Sequence, residues 1–163
     1  MEMRKVFALL AWFLFIGTAE ASPTGNNIIT AQTPNRGVLQ FLQGTDPAGT
    51  YKTLYTAGVN GSKCFGLWET NSDPTSTHLV SVQVVNSGIK YGGVSIATAV
   101  NQGFATGVPP GNFTGSTNWP GLPVDSDGNP YLLLAFGDTL QATFATALTT
   151  ATLINLVITC SDF

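Results

Sequence analysis

Apolar and polar residues alternate one by one along much of the chain. Val80, Val82 and Val84 interleave with Ser81 and Gln83, and Ile154, Leu156, Ile158 and Cys160 interleave with Asn155 and Thr159. A period of two with many β-branched residues is the signature of half-buried strands, because successive side chains of a strand point to opposite faces. On this pattern strands are expected over Ile28–Thr33, Val38–Gln43, Tyr51–Thr56, Ser62–Thr70, Leu79–Asn86, Ile89–Ala97, Tyr131–Phe136, Thr139–Thr146 and Thr152–Cys160. Beyond the N-terminal segment no stretch keeps a helical period for three turns. Val80, Val82, Val84, Ile154, Leu156 and Ile158 form the predicted inward face.

The punctuation between these runs agrees with them. Asn86-Ser87-Gly88 stands at hairpin spacing between two strands, and Val59-Asn60-Gly61 and Phe136-Gly137-Asp138 carry residues that tolerate positive φ. Nine short strands at this spacing predict an all-β fold, an antiparallel β-sandwich of jelly-roll-like topology. One segment breaks the rhythm. Residues 100–129 are rich in Gly and Pro and carry Phe104, Phe113 and Trp119. A long excursion of this kind is either functional or disordered, and its aromatics favour a loop packed on the sandwich or on a partner. Those three aromatics are the candidate binding residues; the alternative is a crossover with its aromatics tucked inward.

The N-terminus changes the picture of where the domain works. Arg4 and Lys5 precede a charge-free run from Val6 to Gly17, and Ala19-Glu20-Ala21 follows with small residues where a signal peptidase reads. The run is shorter than the roughly 20 residues that span a bilayer. Residues 1–21 therefore read as a signal peptide and residues 22–163 as a single β-sandwich domain, secreted or periplasmic. Roughly 140 residues is ordinary for one core.

Charge then narrows the function. Charged residues make up 9% of the chain, with a formal net charge of −3, against a usual content of about 25%. Past residue 21 the cations are Arg36, Lys52, Lys63 and Lys90, scattered along the sequence. Nucleic-acid binding needs clustered Lys and Arg, so it is set aside. An apolar content of 44% separates the chain from the disordered class. An outer-membrane barrel fails on phase: residues two apart back from Phe163 are Ser161, Thr159, Val157 and Asn155, where a lipid-facing strand needs apolar side chains. No membrane partner is expected after processing.

Candidate chemistry is sparse. Cys64 and Cys160 invite a disulfide in an oxidising compartment, and closing a loop of roughly 100 residues is worth about 4–5 kcal/mol in the chain-entropy model. Two buried thiols acting as small hydrophobes are the other reading. His78 is the lone histidine; without a G-x-S-x-G elbow it reads as structural. Neither His78 nor the distant cysteines make a zinc site. Asp125, Asp127 and Asn129 are candidate calcium ligands, although Gly128 and Pro130 depart from the EF-hand order. Asn60-Gly61-Ser62 and Asn112-Phe113-Thr114 match the glycosylation acceptor. No catalytic residue and no cofactor are expected.

Four stretches carry a resemblance: Ala48 through Gly58, Gly66 through Asn71, Lys90-Tyr91-Gly92-Gly93, and Asp125 through Tyr131. They resemble small β-sandwich structural proteins, of capsid-decoration or tail type, encoded in tailed-phage and prophage cassettes. The likeness spans residues 27–163 and implies a non-enzymatic structural protein acting by self-association, as a homo-oligomer on a larger virion-like assembly. The signal peptide departs from that family and implies a domesticated or exported relative. A secreted monomeric module binding a glycan through the loop 100–129 is the alternative.

Overall fold

The computed structural model describes residues 33–163; the signal-peptide assignment, and most of the strand expected over Ile28–Thr33, lie outside them. All regular elements in this range are strands: β1 (Thr33–Leu42), β2 (Lys52–Thr56), β3 (Ser62–Asn71), β4 (Leu79–Asn86), β5 (Ile89–Ala97), β6 (Gly111–Asn112), β7 (Tyr131–Leu134), β8 (Asp138–Phe144) and β9 (Leu153–Asp162). No helix among the described residues is long and apolar enough to cross a membrane.

Two antiparallel sheets result. One runs β1-β9-β3 and is extended beyond β3 by both β6 and β7; the other runs β2-β8-β4-β5. Leaving aside the two-residue β6, each sheet has four strands, and apart from the β4–β5 hairpin consecutive strands cross between sheets in the jelly-roll order. The predicted inward face is the observed one. Val80, Val82, Val84, Ile154, Leu156 and Ile158 are all buried, and they pack with Phe41, Leu67, Leu140 and Phe144. The rings of Phe41 and Phe144, one from each sheet, lie 5.0 Å apart between centroids.

Two local features explain where the strands depart from the simple pattern. The expected strands leave a gap between Thr33 and Val38, yet β1 runs straight through it, across Pro34 and Gly37. Pro34 is tolerated because β1 is an edge strand and the missing N–H would face away from β9. Gly37 is there for space: a Cβ at this position would collide with the Leu54 carbonyl of β2. The second feature is a β-bulge between Phe65 and Leu67 of β3, opposite β9, with Gly66 at φ 61°. One extra residue reverses the inside–outside phase of the rest of the strand. Cys64 and Leu67 both point inward, Trp68 turns outward and is 44% exposed, and Glu69 turns into the interior.

Candidate functional site

The long segment after β5 is an ordered excursion laid against β3. Gln102 and Asn101 are tied to the end of β3, where the Asn71 N–H donates to the Gln102 carbonyl at 2.9 Å and the Asn101 N–H to the Asp73 carbonyl at 2.8 Å. Further on, β6 pairs with Trp68 and Glu69, and the Phe113 N–H donates to the Leu67 carbonyl at 2.8 Å. Asn112 organises the next turn: its Oδ1 accepts from the Thr114 N–H and hydroxyl at 3.0 and 2.9 Å, and its carbonyl accepts from Asn118 at 2.7 Å.

The three aromatics of this segment are not brought together on one surface. Phe113 is fully buried and belongs to the core. Its register beside Leu67 carries it into the sandwich, so it is not available to a ligand. Trp119 is half-buried and packs on the edge of the core, close to Gly92. Phe104 is 55% exposed near the start of the segment. Trp119 lines a recess of about 290 Å³ together with Asn112, Ser116, Leu122, Val124 and Pro130.

The proposed calcium ligands form a self-contained turn. One oxygen of Asp125 accepts from the Asp127 and Asn129 backbone N–H groups at 3.0 and 2.8 Å. Led by the Asn129 amide, these bonds hold the Asp125 carboxyl below its ordinary range. Its carboxylate is thus engaged by its own chain, as in a common Asx turn. Among the described residues no three His, Cys, Asp or Glu side chains form a cluster that could hold a metal ion. Cys64 and Cys160 face each other across β3 and β9 and are joined by a disulfide.

His78 sits in a buried polar network that sequence reasoning did not assemble, because its partners come from three separate loops. Its Nε2 lies 3.1 Å from Asp73 Oδ2, and its Nδ1 lies 3.1 Å from the Thr146 carbonyl. Neither nitrogen meets a hydroxyl that could serve as a nucleophile, and both side chains of the pair are shut off from solvent. Asp73 also accepts from the Thr149 hydroxyl at 2.7 Å, and from the Thr75 and Ser76 backbone N–H groups at 2.9 Å. Burial alone would raise its pKa. The bonds from Thr149, Thr75 and His78 outweigh that and hold the carboxyl well below the usual range. Beside it Asn71 donates to Thr98 Oγ1 and to the Ser76 and Ala99 carbonyls. Every group here is committed to closing one end of the sandwich.

Other acidic groups are used in the same way. Asp162 binds Tyr55, Ser62 and Asn35, and Asp138 binds Tyr91, Asn86 and the Ala135 N–H. Asp46 pairs with Lys52 at 2.9 Å. Lys63 lies 4.0 Å from the centroid of Tyr131. Little charge is left to solvate the surface, while Val59, Ile89, Tyr91, Phe104 and Phe136 are more than half exposed.

No protein-family model matches the chain, and no curated protein matches it. Solved structures similar to the chain include the following two. One is a chain of the cyanophage Pam1 capsid asymmetric unit, with 14% identity, a TM-score of 0.42, and coverage of 80% of this chain and 84% of that one. The other comes from Bacillus endospore appendages described as disulfide-linked pili, with 12% identity, a TM-score of 0.40, and coverage of 80% and 88%. At these values neither likeness assigns a family.

Proposed function

We propose that this chain is an exported, non-enzymatic structural subunit that acts by self-association, in the manner of phage decoration or tail components. The observation that carries this reading is the use of charge. Asp46, Asp73, Asp138 and Asp162 are engaged in internal bonds, Lys52 and Lys63 lie against protein partners, and large apolar side chains remain exposed. Such a surface opposes contact between copies only weakly. The His78 network supports a structural reading too, since its groups serve to hold loops.

A second reading rests on the recess at Trp119, where an indole flanked by Asn112 and Ser116 offers the stacking face and polar rim that suit a saccharide ring. In it the chain is a monomeric glycan-binding module. Light scattering coupled to size exclusion separates the two. A dimer or trimer at micromolar concentration is expected. A monomer that persists at high concentration removes the structural reading, and a monomer that loses oligosaccharide binding on Trp119→Ala replaces it with the second.

A further inference from the structure

The two outermost strands of the sandwich treat their free backbone edges in opposite ways. Just past β1, the Gln43 N–H donates to the Thr152 carbonyl, so the alternation of an antiparallel ladder turns the backbone groups of Pro34, Arg36, Val38, Gln40 and Leu42 away from β9. Most of that edge is blocked. Pro34 has no N–H, the Arg36 N–H donates to Asn35 Oδ1 at 2.8 Å, and Lys52 donates to the Gln40 carbonyl at 2.9 Å. The Leu42 N–H donates to Asp46 Oδ2 at 2.8 Å, and its carbonyl accepts from the Asp46 N–H at 3.0 Å. These are the devices that keep an edge strand from pairing with another chain.

Apart from a bulge at Tyr91 near its start, the β5 edge carries none of them. The Thr98 N–H donates to the His78 carbonyl at 2.7 Å. The same alternation then directs Gly92, Val94 and Ile96 to β4 and turns the N–H and C=O groups of Gly93, Ser95 and Ala97 outward. Among the described residues these outward groups have no hydrogen-bond partner. The strand is nine residues long, lacks proline, and carries one charge, Lys90, near its start. The other free edges are shorter: β2 has five residues and β7 has four.

We infer that β5 is the surface through which a second copy of this chain binds, antiparallel, joining two four-stranded sheets into one of eight strands. The inference rests on the self-association proposed above and names its surface. Charge placement favours a second copy over an arbitrary strand. A two-fold axis at Val94 sets Gly93 against Ser95 of the other copy and Tyr91 against its Ala97, so that small residues meet larger ones. The two Lys90 side chains then stand at opposite ends, about 27 Å apart at the ordinary rise of a strand. That is well beyond a Debye length of about 8 Å. Because each copy has one such edge, the pairing closes at a dimer.

The test is Ser95→Pro in the full chain, examined by light scattering and circular dichroism. Because the Ser95 N–H is not part of the ladder with β4, the substitution removes an outward donor and leaves the intrachain sheet bonded. A dimeric parent with a folded, monomeric Ser95→Pro variant is the expected result, with Val38→Pro on β1 remaining dimeric. Amide exchange on the unaltered protein provides an independent reading: the Gly93, Ser95 and Ala97 amides should be protected in concentrated solution and exchange rapidly on dilution. A parent dimer that survives Ser95→Pro, or that leaves those amides unprotected, overturns the β5 assignment while self-association stands. A monomeric parent overturns both.

Discussion

Asp73 and Glu69 lie four residues apart at one end of β3 and its exit, and both are wholly buried. Asp73 is met by the hydroxyls of Thr149 and Thr75, by backbone amides and by His78. Glu69 is met by nothing comparable: neither carboxylate oxygen has a hydrogen-bond partner. A Cβ on Gly111 would lie 2.8 Å from one of those oxygens, so the glycine of β6 fits closely over it. Burial without compensation pushes the Glu69 carboxyl up to about 8, whereas bonding holds Asp73 below its usual range. The same low-dielectric interior thus keeps one acid ionised and the other protonated at neutral pH. What separates them is the supply of donors. Loops of Thr, Ser and Asn surround Asp73, while Glu69 sits between strands whose amides are already paired.

Breaking the better-satisfied region should have the largest effect. Replacing Asp73 by Ala leaves His78 and Thr149 facing a void in the interior. It is expected to destabilise the fold by about 3–5 kcal/mol in urea unfolding at pH 7. A loss under about 1 kcal/mol would show that the network is ornamental to stability.

The Glu69 region should respond to pH in the opposite sense. A carboxyl whose folded pKa is raised from 4.5 to about 8 contributes stability that is complete below about pH 4.5 and is lost as pH rises to about 8. Asp73, with a lowered pKa, contributes stability above about pH 4 that is lost on further acidification. Glu69→Gln should therefore leave stability near pH 5 within about 1 kcal/mol of the parent. At pH 9 it should exceed the parent by a few kcal/mol, since each pKa unit is worth about 1.4 kcal/mol. Parallel stability–pH curves for the two proteins between pH 5 and 8 would contradict the protonated, unpartnered Glu69.

The smallest expected change comes from Thr149→Val, which removes one donor from Asp73 while the backbone amides and His78 remain. A loss of about 1–3 kcal/mol is expected, together with a rise in the pH at which acid unfolding begins. An unchanged acid limb would mean that Thr149 does not help hold Asp73 ionised.

Much of this architecture is written in local pattern. The period of two identifies eight of the nine strands and the inward faces of β4 and β9, because burial of one face is the condition that makes a strand alternate. The turn residues Ser87 and Gly88, at φ 48° and 81°, place the β4–β5 hairpin for the same local reason. β6 was not legible: two residues in a Gly- and Pro-rich stretch carry no period. Other facts depend on contacts distant in sequence. The bulge at Gly66 decides that Glu69 faces inward and Trp68 outward, and its phase is set by pairing with β9. The partners of His78 lie 5, 68 and 76 residues apart along the chain, counting Thr149 on Asp73. The disulfide forms because Cys64 and Cys160 fall on neighbouring strands in register. The sequence by itself determined that the chain makes two-faced strands with little surface charge. Only the tertiary structure decided which carboxyl met donors and which sheet edge stayed open, because both depend on what the packed sheets bring alongside.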